Sequence, residues 1–211
     1  MRQPPDISIS RLAVYLRFLE DFVKEKGPDS TINSEELAKS LDMNPHQIRK
    51  DLSYFGKFGE RGKGYRPEEL RDKLRQILGL AKKWNLCLCG MGNLGNALFA
   101  YQGFRQMRLD IVAIFDNAPD KIGKTFKGVK IFSPERISRV VKQLNINIAI
   151  VAVPPMAAQA VTDKLIAAGV RAILNFAPIK LNVPSYVKLR NVDLSMQLIN
   201  LTYFLSSCQN T

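Results

Sequence analysis

Leu86-Cys87-Leu88-Cys89-Gly90-Met91-Gly92-Asn93-Leu94-Gly95-Asn96-Ala97-Leu98 reads as a short apolar strand, a turn with glycines spaced G-x-G-x-x-G, and the opening of a helix. Each glycine has its own task in such a turn. The first permits the tight reversal, the second lets backbone N–H groups come close to a pyrophosphate, and the third lets helix and strand pack without an intervening Cβ. The helix N-terminus adds partial positive charge. Glycine spacing alone is weak evidence, but here a strand precedes it and a helix follows it. Downstream, Ile111-Val112-Ala113-Ile114-Phe115 is a second apolar, β-branched run, and it ends at Asp116, 26 residues after Gly90. The usual interval is about 20, so Arg105 to Asp110 is read as an extra loop after a helix from Asn93 to about Gln102. A carboxylate at the end of the second strand accepts from a ribose 2′-OH and repels a 2′-phosphate, which favours NAD over NADP. The plainer role for Asp116 is to cap the turn Asp116-Asn117-Ala118-Pro119.

Further strands and helices alternate after this unit. Ile131-Phe132 reads as a short strand, Ser133-Pro134-Glu135 opens a helix to about Gln143, and Ile146 to Val153 is a buried strand. A helix from Ala157 to Ala168 and a strand from Ala172 to Phe176 follow. Such alternation predicts a mostly parallel, doubly wound α/β sheet with ligands at the strands' carboxyl ends. Val153, Pro154 and Asn175 lie at such ends and join Gly90, Met91, Gly92, Asn93, Leu94, Gly95 and Asp116 as candidate coenzyme contacts.

The chain before the glycine turn has a different pattern. A helix capped by Ser8 or Ser10 and running to about Lys26 carries Leu12, Tyr15, Leu16, Leu19, Phe22 and Val23 at helical spacing. A short helix from Ser34 to about Leu41 follows, then a tight turn, then a helix from His46 to Phe55 in which Asn44 caps and Pro45 takes the first position. Two short helices so closely joined predict a helix-turn-helix. At 100° per residue, Ile48, Leu52 and Phe55 of the second helix face inward. His46, Arg49, Lys50 and Ser53 face outward, with Gln47 and Tyr54 flanking. The outward groups suit guanine edges and phosphates. Beside them, Lys57-Phe58-Gly59-Glu60-Arg61-Gly62-Lys63-Gly64-Tyr65-Arg66 reads as a basic β-hairpin wing, adding Lys57, Arg61 and Lys63 to the candidate DNA contacts. Arg61 is the residue suited to a minor groove. Pro67 begins a fourth helix that ends near Lys83-Trp84 and marks the domain boundary.

Composition sets outer limits. A net charge of +12 points towards polyanions, but residues 85–211 carry more of it than residues 1–84, so placement and not total charge nominates the DNA-binding part. No apolar run reaches the roughly 20 residues of a membrane span, and Met1-Arg2-Gln3-Pro4-Pro5 lacks the apolar core of a signal peptide. Three cysteines without framework spacing fit a cytoplasmic protein, and one histidine with no Cys-x-x-Cys argues against a metal site. The tail, Val192 to Leu205, is helical in spacing and apolar around more than half its circumference, so it needs a partner surface on its own sheet or on a second subunit. Helix-turn-helix proteins commonly pair to read two half-sites, which favours the second subunit. The expected domains are 1–84 for DNA binding with the linker helix, 85–191 for the dinucleotide and 192–211 for dimerisation.

The rival class is an NAD-dependent dehydrogenase, because a Rossmann unit alone implies no particular function. Hydride transfer to a carbonyl usually needs a proton donor beside the nicotinamide. The only histidine, His46, lies in the expected recognition helix, and no Tyr is followed by Lys four positions on. A non-enzymatic role is therefore expected.

Taken with Ile9-Ser10-Arg11-Leu12, Gln47-Ile48-Arg49-Lys50-Asp51-Leu52-Ser53-Tyr54-Phe55-Gly56, Arg61-Gly62-Lys63-Gly64-Tyr65, Asn175-Phe176-Ala177-Pro178 and Asn191-Val192-Asp193, the chain resembles the bacterial Rex family of redox-sensing transcriptional repressors over essentially its whole length. The resemblance implies a homodimer with N-terminal winged helix-turn-helix domains, C-terminal Rossmann domains and a swapped C-terminal helix. It also implies binding to double-stranded operator DNA in the apo or NAD form, with release when NADH binds. By the same resemblance Arg49, Lys50 and Ser53 contact the operator, Arg61 reaches the minor groove, and Arg17, Tyr101 and Asp193 form a redox switch near the dimer interface. Some family members carry an aromatic residue after the Asp of Asn-Val-Asp, where this chain has Leu194.

Overall fold

The structure is a computed structural model that describes residues 4–27, 30–59 and 64–208. It divides into two compact units, Met1–Lys82 and Lys83–Thr211.

In the first unit, α1 (Asp6–Lys26) buries Leu12, Tyr15, Leu16 and Leu19 along one stripe. The helix α2 (Ser34–Leu41) starts with a complete capping box: the Asn33 side chain accepts the Glu36 N–H, and the Glu36 carboxylate accepts the Asn33 N–H. Asp42 takes a left-handed conformation at φ 51°, which stops α2 sharply. The Asn44 side chain then accepts the His46 N–H and Pro45 opens α3 (Pro45–Ser53), as the sequence predicts. The fourth helix, α4 (Pro67–Ile77), buries Leu70 and Leu74 and packs on α1. Arg75 ties these two helices together, donating from Nε and Nη2 to Glu20 Oε1 at 3.0 and 2.7 Å. Of the expected wing, the described part is a backbone bridge between Ile32 and Tyr65, closed by N–H···O bonds of 3.0 and 2.7 Å. Arg61 and Lys63 lie outside the described residues.

The second unit is built on β1 (Trp84–Cys89), β2 (Leu109–Phe115), β3 (Thr125–Phe126), β4 (Val129–Phe132), β5 (Ile148–Val151), β6 (Ala172–Asn175) and β7 (Lys188–Asn191). They form one sheet in the order β3-β4-β2-β1-β5-β6-β7, parallel except for the β3–β4 pair. Its helices are α5 (Asn93–Ala100), α6 (Gln102–Gln106), α7 (Ile137–Gln143), α8 (Pro155–Ala168) and the terminal α9 (Leu194–Cys208). Alternation along the strands separates two cores. Cys87, Cys89, Phe115 and Val151 pack towards α7 and α8, and Leu86, Leu88, Ile114 and Ile150 pack with Phe99 of α5. The Cys87 thiol and burial hold Cys89 well above the ordinary thiol range, so it stays protonated and serves as a packing group.

Some boundaries differ from expectation. The helix after the glycine turn ends at Ala100, where Tyr101 is extended (φ −68°, ψ 108°), and the expected loop from Arg105 to Asp110 begins inside the short α6 and ends inside β2. The linker helix stops at Ile77, where a left-handed Gly79 turns the chain before Trp84. The strand β7 has no apolar alternation to announce it: it lies at the sheet edge and reads Lys-Leu-Arg-Asn.

Candidate functional site

Two sites, one in each unit, gather the residues singled out above. In the sheet unit the chain runs from β1 to β2 on one side and later places β5 on the other side of β1. The gap between these opposite crossovers is where open α/β sheets bind ligands. A cavity of about 530 Å³ lies there, lined by Gly90 to Leu94 after β1, Asp116 to Ala118 after β2, and Ala152 to Pro154 after β5.

The glycines are placed as their spacing requires. Gly90 has φ +94°, and a Cβ on it would lie 2.4 Å from the Ala152 carbonyl oxygen. A Cβ on Gly95 would lie 2.0 Å from the Gly90 oxygen. Around Gly92 there is open space, the opening an incoming phosphate needs. Gly92 is also the residue that precedes α5, and no side chain caps that helix start.

Asp116 is only 8% exposed and is engaged on both oxygens. Oδ2 accepts the Met91 N–H at 2.7 Å and Oδ1 accepts the Ala118 N–H at 2.8 Å. The turn-capping role is thus realised, and the carboxylate also reaches back to hold the glycine turn. Lys121, which no sequence motif singles out, completes this corner. Its Nζ donates to the Met91 carbonyl at 2.9 Å and stands 3.5 Å from Asp116 Oδ2.

Val153 and Pro154 line the cavity, but Asn175 has different work. Its amide is fully buried, donates to the Ala177 and Ile179 carbonyls and to Asn191 Oδ1, and accepts the Ala177 N–H. These bonds commit both ends of the amide to fixing the loop after β6. Asn175 is not among the residues that line the cavity.

On α3 the exposed residues are His46, Arg49, Lys50 and Ser53, with Lys57 also exposed just beyond the helix and Tyr54 half-buried. Arg49 donates to Glu35 Oε1 at 2.9 Å and to Ser34 Oγ at 2.6 Å, which aligns it along α2 while leaving its side chain 48% exposed. Gln47, at the flank of the outward face, is half-buried. Its Nε2 donates to Asp51 Oδ1 at 3.0 Å, so its amide faces into the unit.

Asp51 itself escaped the sequence reading. It is 0% exposed and accepts from Ser8 Oγ at 2.8 Å, Tyr15 OH at 2.8 Å, Gln47, and both Nε and Nη2 of Arg11. Burial alone would raise the Asp51 carboxyl. The bonds from Arg11, Tyr15, Ser8 and Gln47 outweigh it and hold the group below its ordinary 3.8. Burial, and then the bond to Asp51, push the Tyr15 hydroxyl well above the ordinary tyrosine range. Its position three residues after Ile48 and one before Leu52 places Asp51 on the inward face, a signal available in the sequence.

Known proteins carry both halves in this arrangement. Residues 5–53 match the family model described as putative DNA-binding protein N-terminus, and residues 81–179 match the one described as CoA binding domain. The redox-sensing transcriptional repressor Rex of Desulfitobacterium hafniense is 50% identical over 199 residues, covering 94% of each chain. The Rex of Roseiflexus sp. is 43% identical over 206 residues, covering 98% of this chain and 93% of its own. The chain belongs to the Rex family. Among solved Rex-family structures, RSP in complex with β-NAD+ and operator DNA superposes with a TM-score of 0.92 at 37% identity, covering 99% of this chain and 95% of its own. RSP in complex with β-NADH gives 0.87 at 35% identity, covering 99% and 97%.

The residues that the Rex resemblance assigns to a redox switch lie on separate elements. Arg17 is exposed on α1 of the first unit. Tyr101 is 50% exposed at the break between α5 and α6, its ring edge-on to Phe104 at 5.1 Å. Asp193 caps α9: Oδ1 accepts the Ser195 hydroxyl, the Ser195 N–H at 3.0 Å and the Met196 N–H at 3.3 Å. These bonds hold its carboxyl below the ordinary range. Among the described residues no helix is long and apolar enough to cross a membrane, and no group of His, Cys, Asp and Glu is placed to hold a metal.

Proposed function

We propose that this Rex-family protein is a cytoplasmic, homodimeric repressor that binds double-stranded operator DNA through α3 and leaves it when NADH occupies the cavity beside β1. The observation that carries the reading is that cavity, at the crossover of the sheet and bounded by the glycine turn and Asp116. NAD and NADH share the adenosine and pyrophosphate, which suit Asp116 and the Gly90–Gly95 turn with the start of α5. The remaining walls, Val153, Pro154, Ala157 and Val161, are apolar. A nicotinamide ring buried against them is cationic when oxidised and neutral when reduced, and desolvation favours the neutral form. The titratable side chains on the lining are Cys89, Asp116 and Lys121, none of them on this apolar wall. That distribution supports binding and sensing over hydride transfer to a substrate.

His46, Arg49, Lys50, Ser53, Tyr54 and Lys57 are the proposed operator contacts among the described residues, with Arg61 and Lys63 of the wing beyond them. Met196, Leu198, Leu201 and Phe204 of α9 are between 50% and 66% exposed. So apolar a helix surface supports docking on a second copy, the arrangement that sets the spacing of two recognition helices. Arg17, Tyr101 and Asp193 are the proposed links between coenzyme state and that spacing.

The test is operator binding by fluorescence anisotropy at fixed salt, titrated with NAD and with NADH. NADH is expected to release the operator at concentrations where NAD does not. Equal operator affinity in both coenzymes refutes the sensing role and leaves DNA binding standing.

A further inference from the structure

We infer that Lys121 is a positioning residue for the coenzyme, setting how tightly both oxidation states bind without helping to tell them apart; this rests on the coenzyme reading above. Met91, the second residue of the glycine turn, is gripped on both of its backbone polar groups. Its N–H is held by Asp116 Oδ2 at 2.7 Å and its carbonyl by Lys121 Nζ at 2.9 Å. Asp116 and Lys121 are themselves 3.5 Å apart, so the three groups close a ring between the end of β2 and the turn after β1.

The loop that carries Lys121 is anchored. The Lys121 N–H donates to the Ala118 carbonyl at 3.0 Å, and the Gly123 N–H donates to the Ile131 carbonyl of β4 at 2.9 Å. The lysine is therefore delivered to the turn by fixed backbone. Its side chain is 36% exposed and lies on the wall shared by the 530 Å³ cavity and a neighbouring one of about 240 Å³.

Charge gives the arrangement its consequence. The Asp116 carboxylate is buried beside the glycine turn proposed to take the pyrophosphate. Two anions a few ångströms apart in a protein interior repel strongly, and a cation beside one of them removes most of that cost. Lys121 supplies the cation and, by the same contact, fixes the carbonyl that orients the turn. Everything it touches lies at the adenosine and pyrophosphate end, where the oxidised and reduced coenzymes are chemically identical. Its loss must therefore weaken both by the same factor.

The experiment is calorimetric titration of the full-length wild type, Lys121→Met and Lys121→Arg with NADH, NAD and ADP, alongside operator release by NADH. The Met variant is expected to bind all three ligands about tenfold more weakly, as for one charge-assisted hydrogen bond. Its NADH-to-NAD affinity ratio stays within about twofold of wild type, and the half-release concentration moves by the same tenfold. The Arg variant, which keeps the cation and a donor, recovers most of the affinity. Thermal melting without coenzyme checks that the fold is unchanged, and Lys121→Gln replaces the Met variant if it is not. Wild-type affinity in the Met variant, a changed NADH-to-NAD ratio, or an Arg variant as weak as Met each overturns the inference. A wild-type protein that binds no NADH overturns the coenzyme reading itself, a distinct result.

Discussion

Replacing Asp51 by Asn is the sharpest test of how α3 is held. The side chain is isosteric, but its amide presents N–H groups where the carboxylate accepted from Arg11, Tyr15 and Ser8. Donors then face donors around a site that is 0% exposed. Removing one partner of a buried ion pair costs about 3–5 kcal/mol. Arg11 keeps 18% of its side chain exposed and recovers some hydration, which puts this case near 3 kcal/mol, about a hundredfold in an opening equilibrium. Amide hydrogen exchange on the full-length protein reads the loss locally: protection in α1 and α3 should fall by about that factor while β1, β2 and β5 keep theirs. The double variant Arg11→Met with Asp51→Leu should recover part of it, since an apolar replacement leaves no uncompensated charge. Acid titration adds a second signature. The native Asp51 carboxyl lies below its ordinary 3.8, so its contribution is complete above 3.8 and is lost as pH falls through the native value. The Asn variant should lack that acid-side loss. A cost under about 1 kcal/mol, or equal loss of protection in both units, would refute this account of Asp51 as the anchor of α3.

Two further substitutions separate the sites. Gly95→Ala places a methyl 2.0 Å from the Gly90 carbonyl oxygen, and the forced shift costs about 1–3 kcal/mol or more. NADH binding by calorimetry should fall at least tenfold and operator release should become insensitive to NADH, so release at the wild-type concentration contradicts the glycine-turn assignment. Arg49→Ala removes an ion pair whose partners are 48% and 66% exposed, worth at most about 1 kcal/mol to stability. It should nevertheless weaken specific operator binding by about 1–3 kcal/mol, and unchanged anisotropy titrations would remove Arg49 from the interface.

What the sequence disclosed follows from where its signals reside. The strand-turn-helix around Gly90 was legible because strand, glycine spacing and helix start are contiguous in the chain, whereas the Ala152 oxygen that Gly90 must clear comes from the distant end of β5. The cap Asn44 was legible for a similar reason, since it bonds an N–H two residues ahead. Asp51 was obscure because its partner Arg11 lies 40 residues away, and a charged residue on an apolar face gives no periodic signal of a partner. Lys121 was hidden likewise, 30 residues from the carbonyl it holds. The bonding of Asn175 was not legible because a strand's carboxyl end nominates a position without fixing where its amide bonds. Gln47 was placed at the flank of α3 by helical angle, and a long amide at a flank turns to whichever side offers a buried acceptor.

Sensing requires differential binding, and the cavity separates the parts of that problem. A ligand moves an equilibrium only by the ratio of its affinities for the two states, however tightly it binds either. On the reading proposed above, the corner formed by Met91, Asp116 and Lys121 faces the chemistry common to NAD and NADH, so it is expected to contribute affinity and no discrimination. On the coenzyme reading proposed above, the apolar wall of Val153, Pro154, Ala157 and Val161 is the surface offered to the ring whose charge changes, and discrimination is expected to originate there. Substitutions at the Lys121 corner are therefore expected to shift the NAD and NADH curves together along the concentration axis, and substitutions on the apolar wall to change the distance between them.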